Sequence, residues 1–122
     1  MASMTNDPIS GDRDVLVAAY FAFNARHIDA VLALMHSDVV WPNGMEGGYV
    51  HGHEDVRAYW TRQWGLIDPR VEPVMIKKGE QGRTVVEVHQ VVRDLDGNLL
   101  LDTIVHHAYT LREGLIERME IE

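Results

Sequence analysis

The spacing of apolar residues changes character at Asp68-Pro69, and this change constrains the fold more than any other feature of the chain. Before it, apolar residues recur every three or four positions, as along one face of a helix; after it, they alternate with polar residues, as in a half-buried strand. Helices followed by strands with short connections are the order of an α+β domain. We therefore expect N-terminal helices packed in an antiparallel sheet.

Three helices are predicted before the change. They cover residues 12–26, 27–36 and 53–64, and a short strand (39–41) followed by a glycine-rich loop (43–52) separates the last two. Each helix has an apolar stripe at helical spacing. Pro42 ends the short strand, because proline cannot donate to a strand ladder.

Four strands are predicted after the change. They cover residues 70–78, 83–93, 99–111 and 115–121. Asp96-Gly97 and Glu113-Gly114 separate the last three of these strands, and Asp-Gly between β-rich runs is a strong hairpin signal. Connections this short place neighbouring strands antiparallel, so the strands should form a meander.

The Asp96-Gly97 turn, taken as a two-residue connection, sets which residues of two long strands face each other. It places Val86 opposite His107 and Glu87 opposite His106. The inward row then holds the more apolar face of both strands: Val86, Val88, Gln90, Val92, Leu101, Thr103, Val105, His107 and Tyr109. A bulge would reverse this arrangement and bring His89 inward instead of Gln90.

The last hairpin has two predicted registers. A two-residue turn at Glu113-Gly114 places Glu120 opposite His107, which gives a buried pair of carboxylate and imidazole. A three-residue turn that also includes Arg112 places Met119 there instead, which gives an apolar wall. The sequence leaves both alternatives open.

The composition limits the classes of function. The chain has 122 residues, which is the length of one domain, and we place that domain at residues 12–122 after a flexible tail, residues 1–11. The net charge is -8 and Lys77-Lys78 is the only adjacent basic pair, so we expect neither nucleic acid nor a membrane as a partner. The absence of cysteine excludes disulfides and thiolate sites and fits the cytoplasmic location that we expect.

In their order, these elements resemble the nuclear transport factor 2-like superfamily, which includes ketosteroid isomerases and SnoaL-like polyketide cyclases. The segments that carry the resemblance are residues 23–29 (FNARHID), 38–41 (DVVW), 51–60 (HGHEDVRAYW) and 109–116 (YTLREGLI). The resemblance implies a sheet that curves around the helices as a cone-like α+β barrel with an apolar cavity. It also implies a homodimer formed through the outer face of the sheet.

The resemblance to ketosteroid isomerases covers three functional positions. The position of their general-base aspartate is Asn43, whose neutral amide cannot accept a proton at useful pH. The position of their oxyanion tyrosine is Ala19, and Tyr20 lies one residue further, about 100° around the helix. Their second oxyanion donor, a protonated aspartate, is replaced by His107. The resemblance therefore does not favour steroid isomerisation.

His107 is the predicted catalytic residue. Burial in an apolar row favours a neutral imidazole, which suits a general base or a hydrogen-bond donor to a carbonyl oxygen. The predicted ligand-binding residues are Trp41, Asn43, Tyr59, Trp60, Gln90, Tyr109 and Met119. A purely structural interpretation competes with these roles: a histidine on a buried strand is often part of the core, and Asn43 is typical of a turn.

No metal or cofactor is expected. His51 and His53 have the spacing of a ligand pair, but a helix begins at once and no further ligand follows at a suitable spacing. No nucleotide-binding fingerprint is present. We expect a cofactor-independent isomerase, cyclase, dehydratase or hydrolase that acts by acid–base catalysis on a small apolar or carbonyl-bearing molecule. The alternative is a non-catalytic ligand-binding or dimeric interaction module, which the loss of the aspartate base favours.

Overall fold

The computed structural model describes residues 8–122, and this part of the chain forms three α-helices and one six-stranded sheet. The helices are α1 (Pro8–Asn24), α2 (Ile28–Leu32) and α3 (Gly52–Trp64). The strands are β1 (Met35–Pro42), β2 (Tyr49–His51), β3 (Ile67–Lys78), β4 (Thr84–Asp94), β5 (Leu99–Arg112) and β6 (Leu115–Ile121). The predicted α+β class is confirmed, and the four predicted C-terminal strands are present within a few residues of their expected bounds.

The N-terminal elements differ from the prediction in several places: β1 begins at Met35 rather than at residue 39, and β2 lies within the predicted glycine-rich loop. Helix α1 begins at Pro8, so the last residues of the predicted tail are helical, which agrees with the preference of proline for a first helical turn. The rest of that tail lies outside the described residues. Helix α2 ends at Leu32 rather than at His36, because Met35 already belongs to β1 and is buried opposite Ile116 of β6. One apolar residue at helical spacing cannot distinguish a last helical turn from a buried strand.

The strand order is β2-β1-β6-β5-β4-β3, and the sheet does not close. Only the pairing of β1 with β6 is parallel; the other neighbours are antiparallel, so the sheet is mixed rather than fully antiparallel. The long strands β3 to β6 curve around α1 and α3, and one hydrophobic core lies between the helices and the inner face of the sheet. None of the described helices has both the length and the hydropathy needed to span a bilayer.

The predicted register of β4 and β5 is confirmed, although the turn is not the predicted one. Val86 lies opposite His107, and Glu87 lies opposite His106. The turn has three residues between Asp94 and Asn98, whose backbones are hydrogen-bonded at 2.9 Å. A bulge at Leu100 shifts the register back by one position, so the two deviations cancel. His89 therefore lies on the outer face of the sheet, where Nε2 is 2.7 Å from the Asp102 carboxylate.

Both predicted registers of the last hairpin are wrong. The turn does have two residues, but a bulge at Glu117 moves Ile121 opposite His107 and Met119 opposite Tyr109. The bulge arises from the spacing of Ile116 and Met119. These residues are three positions apart and would face opposite sides of a regular strand. The bulge turns both side chains into the core, where they are 0% and 2% exposed.

Glu120 consequently does not meet His107. It lies opposite Ala108, and its carboxylate accepts a hydrogen bond from Arg118 at 2.6 Å. The predicted pair of carboxylate and imidazole does not form.

Candidate functional site

A cavity of about 300 Å³ lies between the inner face of the sheet and helices α1 and α3. Side chains of α1, α3 and the long strands line it, together with the loop that joins β1 to β2. The lining residues include no aspartate, glutamate, lysine or arginine. The cavity therefore presents an uncharged, mostly apolar surface with a few hydroxyl, amide and imidazole groups, which is the usual character of a small-molecule site.

The structure brings most of the sequence-predicted site residues together at this cavity. Those that line it are Trp41, Tyr59, Trp60, Gln90, His107, Tyr109 and Met119. Asn43 does not line it. Its Oδ1 accepts hydrogen bonds from the backbone N–H groups of Met45 and Glu46 at 3.1 and 2.9 Å. Asn43 thus organises the turn between β1 and β2, as its residue type alone would suggest.

Three hydrogen-bonding side chains form a buried chain in the cavity wall. The hydroxyl of Tyr109 donates to the hydroxyl oxygen of Tyr20 at 2.8 Å, and the Tyr20 hydroxyl lies 2.8 Å from Nδ1 of His107. Helix α1 supplies Tyr20, and β5 supplies the other two, so the chain joins the helix to the sheet. All three residues are at most 7% exposed.

Tyr20 was not among the sequence-predicted site residues. The expectation placed its ring about 100° away from the functional position on the first helix. In the structure Leu16 and Tyr20, one turn apart on α1, are both buried, and Tyr20 lines the cavity together with Ala19. A signal was present: a tyrosine in a buried helical stripe needs a partner for its hydroxyl, and a histidine in a buried strand row needs one too.

Burial keeps this chain of groups uncharged. Burial lowers the pKa of His107 from 6.5 to about 4, with a smaller contribution from nearby His106. Burial also raises the pKa of Tyr109, and it raises that of Tyr20 well above its ordinary value, with Tyr109 adding to the effect. At neutral pH the site therefore contains a neutral imidazole and two neutral phenols.

The hydrogen bonds allow an arrangement in which Nδ1 of His107 is an acceptor. Because Tyr20 accepts from Tyr109, its own proton is available for Nδ1. A neutral imidazole has one N–H, so in this tautomer the proton lies on Nε2. Nε2 of His107 makes no hydrogen bond to the described residues. It is not enclosed either, since among these residues Trp64 Nε1 is the one enclosed side-chain polar atom without a partner. Because His107 lines the cavity, its Nε2 is accessible from there.

Aromatic rings of β1 and α3 form one part of the cavity wall. Trp41 and Trp60 meet edge to face at 5.4 Å, and Trp60 stacks on Trp64 at 5.9 Å. Trp60 is 1% exposed, whereas Trp41 is only partly buried. Trp60 thus serves as core as well as cavity wall, while Trp41 offers the more accessible apolar face.

The hydroxyl of Tyr59 fixes the loop at the cavity to α3. Its oxygen accepts from the Gly44 N–H at 3.0 Å and from Nε2 of Gln63 at 3.3 Å. Burial raises the pKa of Tyr59, and the backbone N–H groups of Gly44 and Met45 oppose that effect. The phenol therefore stays protonated at neutral pH.

The H-x-H pair lies away from the cavity. His53 has Nε2 2.9 Å from the carbonyl oxygen of Met35, and His51 is exposed on β2. Within residues 8–122, no group of three or more His, Cys, Asp or Glu side chains is arranged to hold a metal ion.

A curved, unclosed sheet around helices, with an apolar cavity between them, defines the class of nuclear transport factor 2-like proteins. The family model of the SnoaL-like domain matches residues 16–119, and the chain belongs to that family. The superfamily that the sequence resembles is thereby confirmed. No curated protein sequence matches the chain.

Solved structures share the fold over nearly the whole chain. TerC, co-crystallised with polyporic acid, is 28% identical, with a TM-score of 0.80 over 92% of this chain and 90% of TerC. A protein of unknown function from Burkholderia pseudomallei is 26% identical, with a TM-score of 0.79 over 92% of this chain and 89% of its own. A protein provisionally assigned as a polyketide cyclase, from Xanthomonas campestris, is 21% identical, with a TM-score of 0.79 and coverages of 94% and 91%. The last similarity shows the fold alone.

Proposed function

We propose that this protein binds a small, mostly apolar molecule with a carbonyl group and that His107 acts on that carbonyl as a hydrogen-bond donor. The observation that carries the proposal is the contact of 2.8 Å between the Tyr20 hydroxyl and Nδ1 of His107. In the proposed arrangement Tyr20 donates to Nδ1, so the proton is on Nε2, the nitrogen accessible from the cavity. A donor held in an apolar site stabilises negative charge that develops on the carbonyl oxygen.

The role of donor is better supported than the role of general base. A pKa of about 4 means that the ring resists a second proton at neutral pH. Relative to an ordinary histidine, protonation costs roughly 3 kcal/mol more, since each pKa unit corresponds to about 1.4 kcal/mol. The raised pKa values of Tyr20 and Tyr109 likewise oppose a relay that would leave a phenolate behind.

The reactions that such a donor assists share one step, in which charge moves onto a carbonyl oxygen. Isomerisation, aldol cyclisation and dehydration next to a carbonyl all pass through an enol or enolate. The proton lost from carbon would go to water or to a basic group of the substrate, because the lining residues include no carboxylate or amine. The similarity to TerC, which was crystallised with polyporic acid, supports an oxygen-bearing organic ligand.

A binding test with polyporic acid checks the first part of the proposal. Trp41 and Trp60 line the cavity, so quenching of tryptophan fluorescence reports occupancy. His107→Gln should weaken binding by about 2- to 10-fold, the usual value of one neutral hydrogen bond. The matched control is His89→Gln, because His89 lies on the outer face of the sheet. Equal affinity of both variants and the wild type would contradict a contact with His107.

A turnover test checks the second part. The protein is incubated with a metabolite extract, and new products are sought by mass spectrometry. His107→Gln should abolish most product formation while the His89→Gln control retains it. A folded His107→Gln variant with full turnover excludes the catalytic role.

The second candidate is a non-catalytic ligand-binding module. The uncharged lining favours it, because the lining contains no carboxylate or amine to take up a proton from carbon. It predicts that a bound ligand is recovered unchanged after long incubation. The appearance of any product in the turnover test rejects it.

The proposal also covers the setting in which the protein works. It includes a cofactor-independent activity, a cytoplasmic location and a homodimer formed through the outer face of the sheet. Met75 and Ile104 on that face are 53% and 48% exposed, which is consistent with a surface that a second copy covers. Light scattering during gel filtration should give twice the mass of the chain, and a monomer at all concentrations would contradict the dimer.

A further inference from the structure

The hydroxyl of Tyr59 has an unused proton. Its oxygen accepts hydrogen bonds from the Gly44 N–H and from the side chain of Gln63, at 3.0 and 3.3 Å. A phenol oxygen has two lone pairs, and these two donors occupy both. Among the described residues, the hydroxyl accepts these two hydrogen bonds and donates none.

Tyr59 is 4% exposed and lines the cavity, so the available space for an acceptor is the cavity itself. A hydroxyl that accepts two hydrogen bonds is polarised and becomes a better donor. The surrounding contacts also fix the position of the Tyr59 hydroxyl. Gln63, which donates to it, lies one helical turn further along the same helix, α3. The loop that supplies Gly44 is joined to α3 by the Glu46–Arg62 ion pair at 3.0 Å.

With the proposed tautomer of His107, the cavity has two donors on two different elements. Nε2 of His107 is held by β5, and the hydroxyl of Tyr59 is held by α3. Both groups are neutral and fixed by other hydrogen bonds, and both belong to a lining without charged side chains. Such an arrangement distinguishes ligands by the number and the separation of their oxygen atoms, since a buried donor left unpaired is costly.

We infer that Tyr59 donates its hydroxyl proton to a second oxygen of the ligand, so that the site selects flat, apolar molecules with two hydrogen-bond-accepting oxygens, such as aromatic diketones. The inference rests on the proposed function in one respect, because His107 holds the first oxygen. It adds a specificity-determining residue and a substrate class to that proposal.

The test compares ligands of the same shape that differ in one oxygen. The probes are 1,3- and 1,4-diacetylbenzene and, as partners with one carbonyl replaced by a methylene group, 3-ethyl- and 4-ethylacetophenone. Their dissociation constants are measured by tryptophan fluorescence with the full chain. The wild type should bind at least one diketone about 3- to 10-fold more tightly than its ethyl partner, as expected for one hydrogen bond.

The variant Tyr59→Phe removes the hydroxyl and keeps the ring. It should abolish the preference for the diketone, so that the dissociation constants of the diketone and its ethyl partner become about equal within the variant. The ratio of the two constants is the readout, because the lost contact with the Gly44 N–H changes both affinities together. The control is Tyr49→Phe, because Tyr49 is 45% exposed on β2 and does not line the cavity; it should behave like the wild type.

Failure of this inference can be distinguished from failure of the proposed function. A preference that persists in Tyr59→Phe, or a wild type that binds no diketone more tightly than its partner, overturns the role of Tyr59. A His107→Gln variant that binds the ethyl ketones as tightly as the wild type overturns the role of His107. The loss of the preference in Tyr59→Phe would then still support the second donor.

Discussion

The hydroxyl of Tyr20 lies 2.8 Å from Nδ1 of His107, although the two residues are 87 positions apart in the chain. This contact joins the first helix to the fifth strand at the wall of the cavity. Tyr20 also accepts a hydrogen bond from Tyr109, so one hydroxyl satisfies two buried partners. The orientation of the His107 ring therefore depends on a residue of another element.

The first prediction concerns the variant Tyr20→Phe. It leaves Nδ1 of His107 and the hydroxyl of Tyr109 buried without a partner. We expect a loss of about 2–6 kcal/mol in the free energy of unfolding, at about 1–3 kcal/mol for each of the two unsatisfied groups. Urea denaturation measures this loss. Tyr49→Phe is the control, since its side chain is exposed; equal stability of the two variants would show that the buried chain of hydrogen bonds contributes little.

The second prediction follows from the pKa of His107, which is lowered to about 4 in the folded protein. Between that value and the ordinary pKa of 6.5, the unfolded chain binds a proton that the folded chain does not. The free energy of unfolding should therefore rise with pH across this window and lose this dependence above it. The contribution of this one group amounts to roughly 3 kcal/mol at most.

Urea denaturation at several pH values within the window tests this prediction, with His107→Gln as the comparison. The variant lacks the titrating group, so its stability should depend less steeply on pH than that of the wild type. Parallel curves for the two proteins would mean that His107 does not have a lowered pKa. Ligand binding through His107 should, for the same reason, show no change near the ordinary pKa of histidine.

The sequence was sufficient to predict which residues of β4 and β5 face the inside of the sheet. Both strands alternate with period two, so placing Val86 and His107 on one face agrees with the apolar pattern of each strand. That agreement determined the register more reliably than the turn did. The three-residue turn and the bulge at Leu100 each shift the pairing by one position, and the apolar faces require that the shifts cancel.

Other parts of the site could not be derived in this way. The bulge at Glu117 depends on Ile116 and Met119 both reaching the core, and turn residues alone do not indicate it. The position of Tyr20 depends on how α1 rotates against the sheet, which is decided by packing between distant elements. For the same reason the partners of the Tyr59 hydroxyl were unpredictable, because Gly44 approaches it only after the loop has folded onto α3.

The third prediction concerns Arg26, which joins α1 to β3 beside the cavity. Its guanidinium donates to the carbonyl oxygen of Pro69 at 2.8 Å, pairs with Asp68 and lies 5.0 Å from the centre of the Trp64 ring. Lysine cannot reproduce this forked and stacked geometry. We expect Arg26→Lys to lower the free energy of unfolding by about 1.5–3 kcal/mol, the range for hydrogen bonds that involve a charged group.

The same variant should weaken ligand binding, because Phe23 and Pro69, which Arg26 holds together, both line the cavity. Thermal or urea denaturation and fluorescence titration measure the two effects. Arg13→Lys on the exposed side of α1 is the control and should be neutral. If Arg26→Lys is as stable as Arg13→Lys, the contacts of Arg26 do not determine the position of β3.

The fourth prediction separates Asn43 from Gln90, which the sequence placed in the same group of candidate ligand-binding residues. Asn43→Ala removes the acceptor for two backbone N–H groups, so we expect a loss of about 1 kcal/mol in stability and unchanged ligand affinity. Gln90→Leu leaves those contacts intact but makes the cavity wall less polar. It should change the affinity for carbonyl-bearing ligands at nearly unchanged stability. The opposite pattern, in which Asn43→Ala impairs binding without loss of stability, would show that Asn43 takes part in ligand binding.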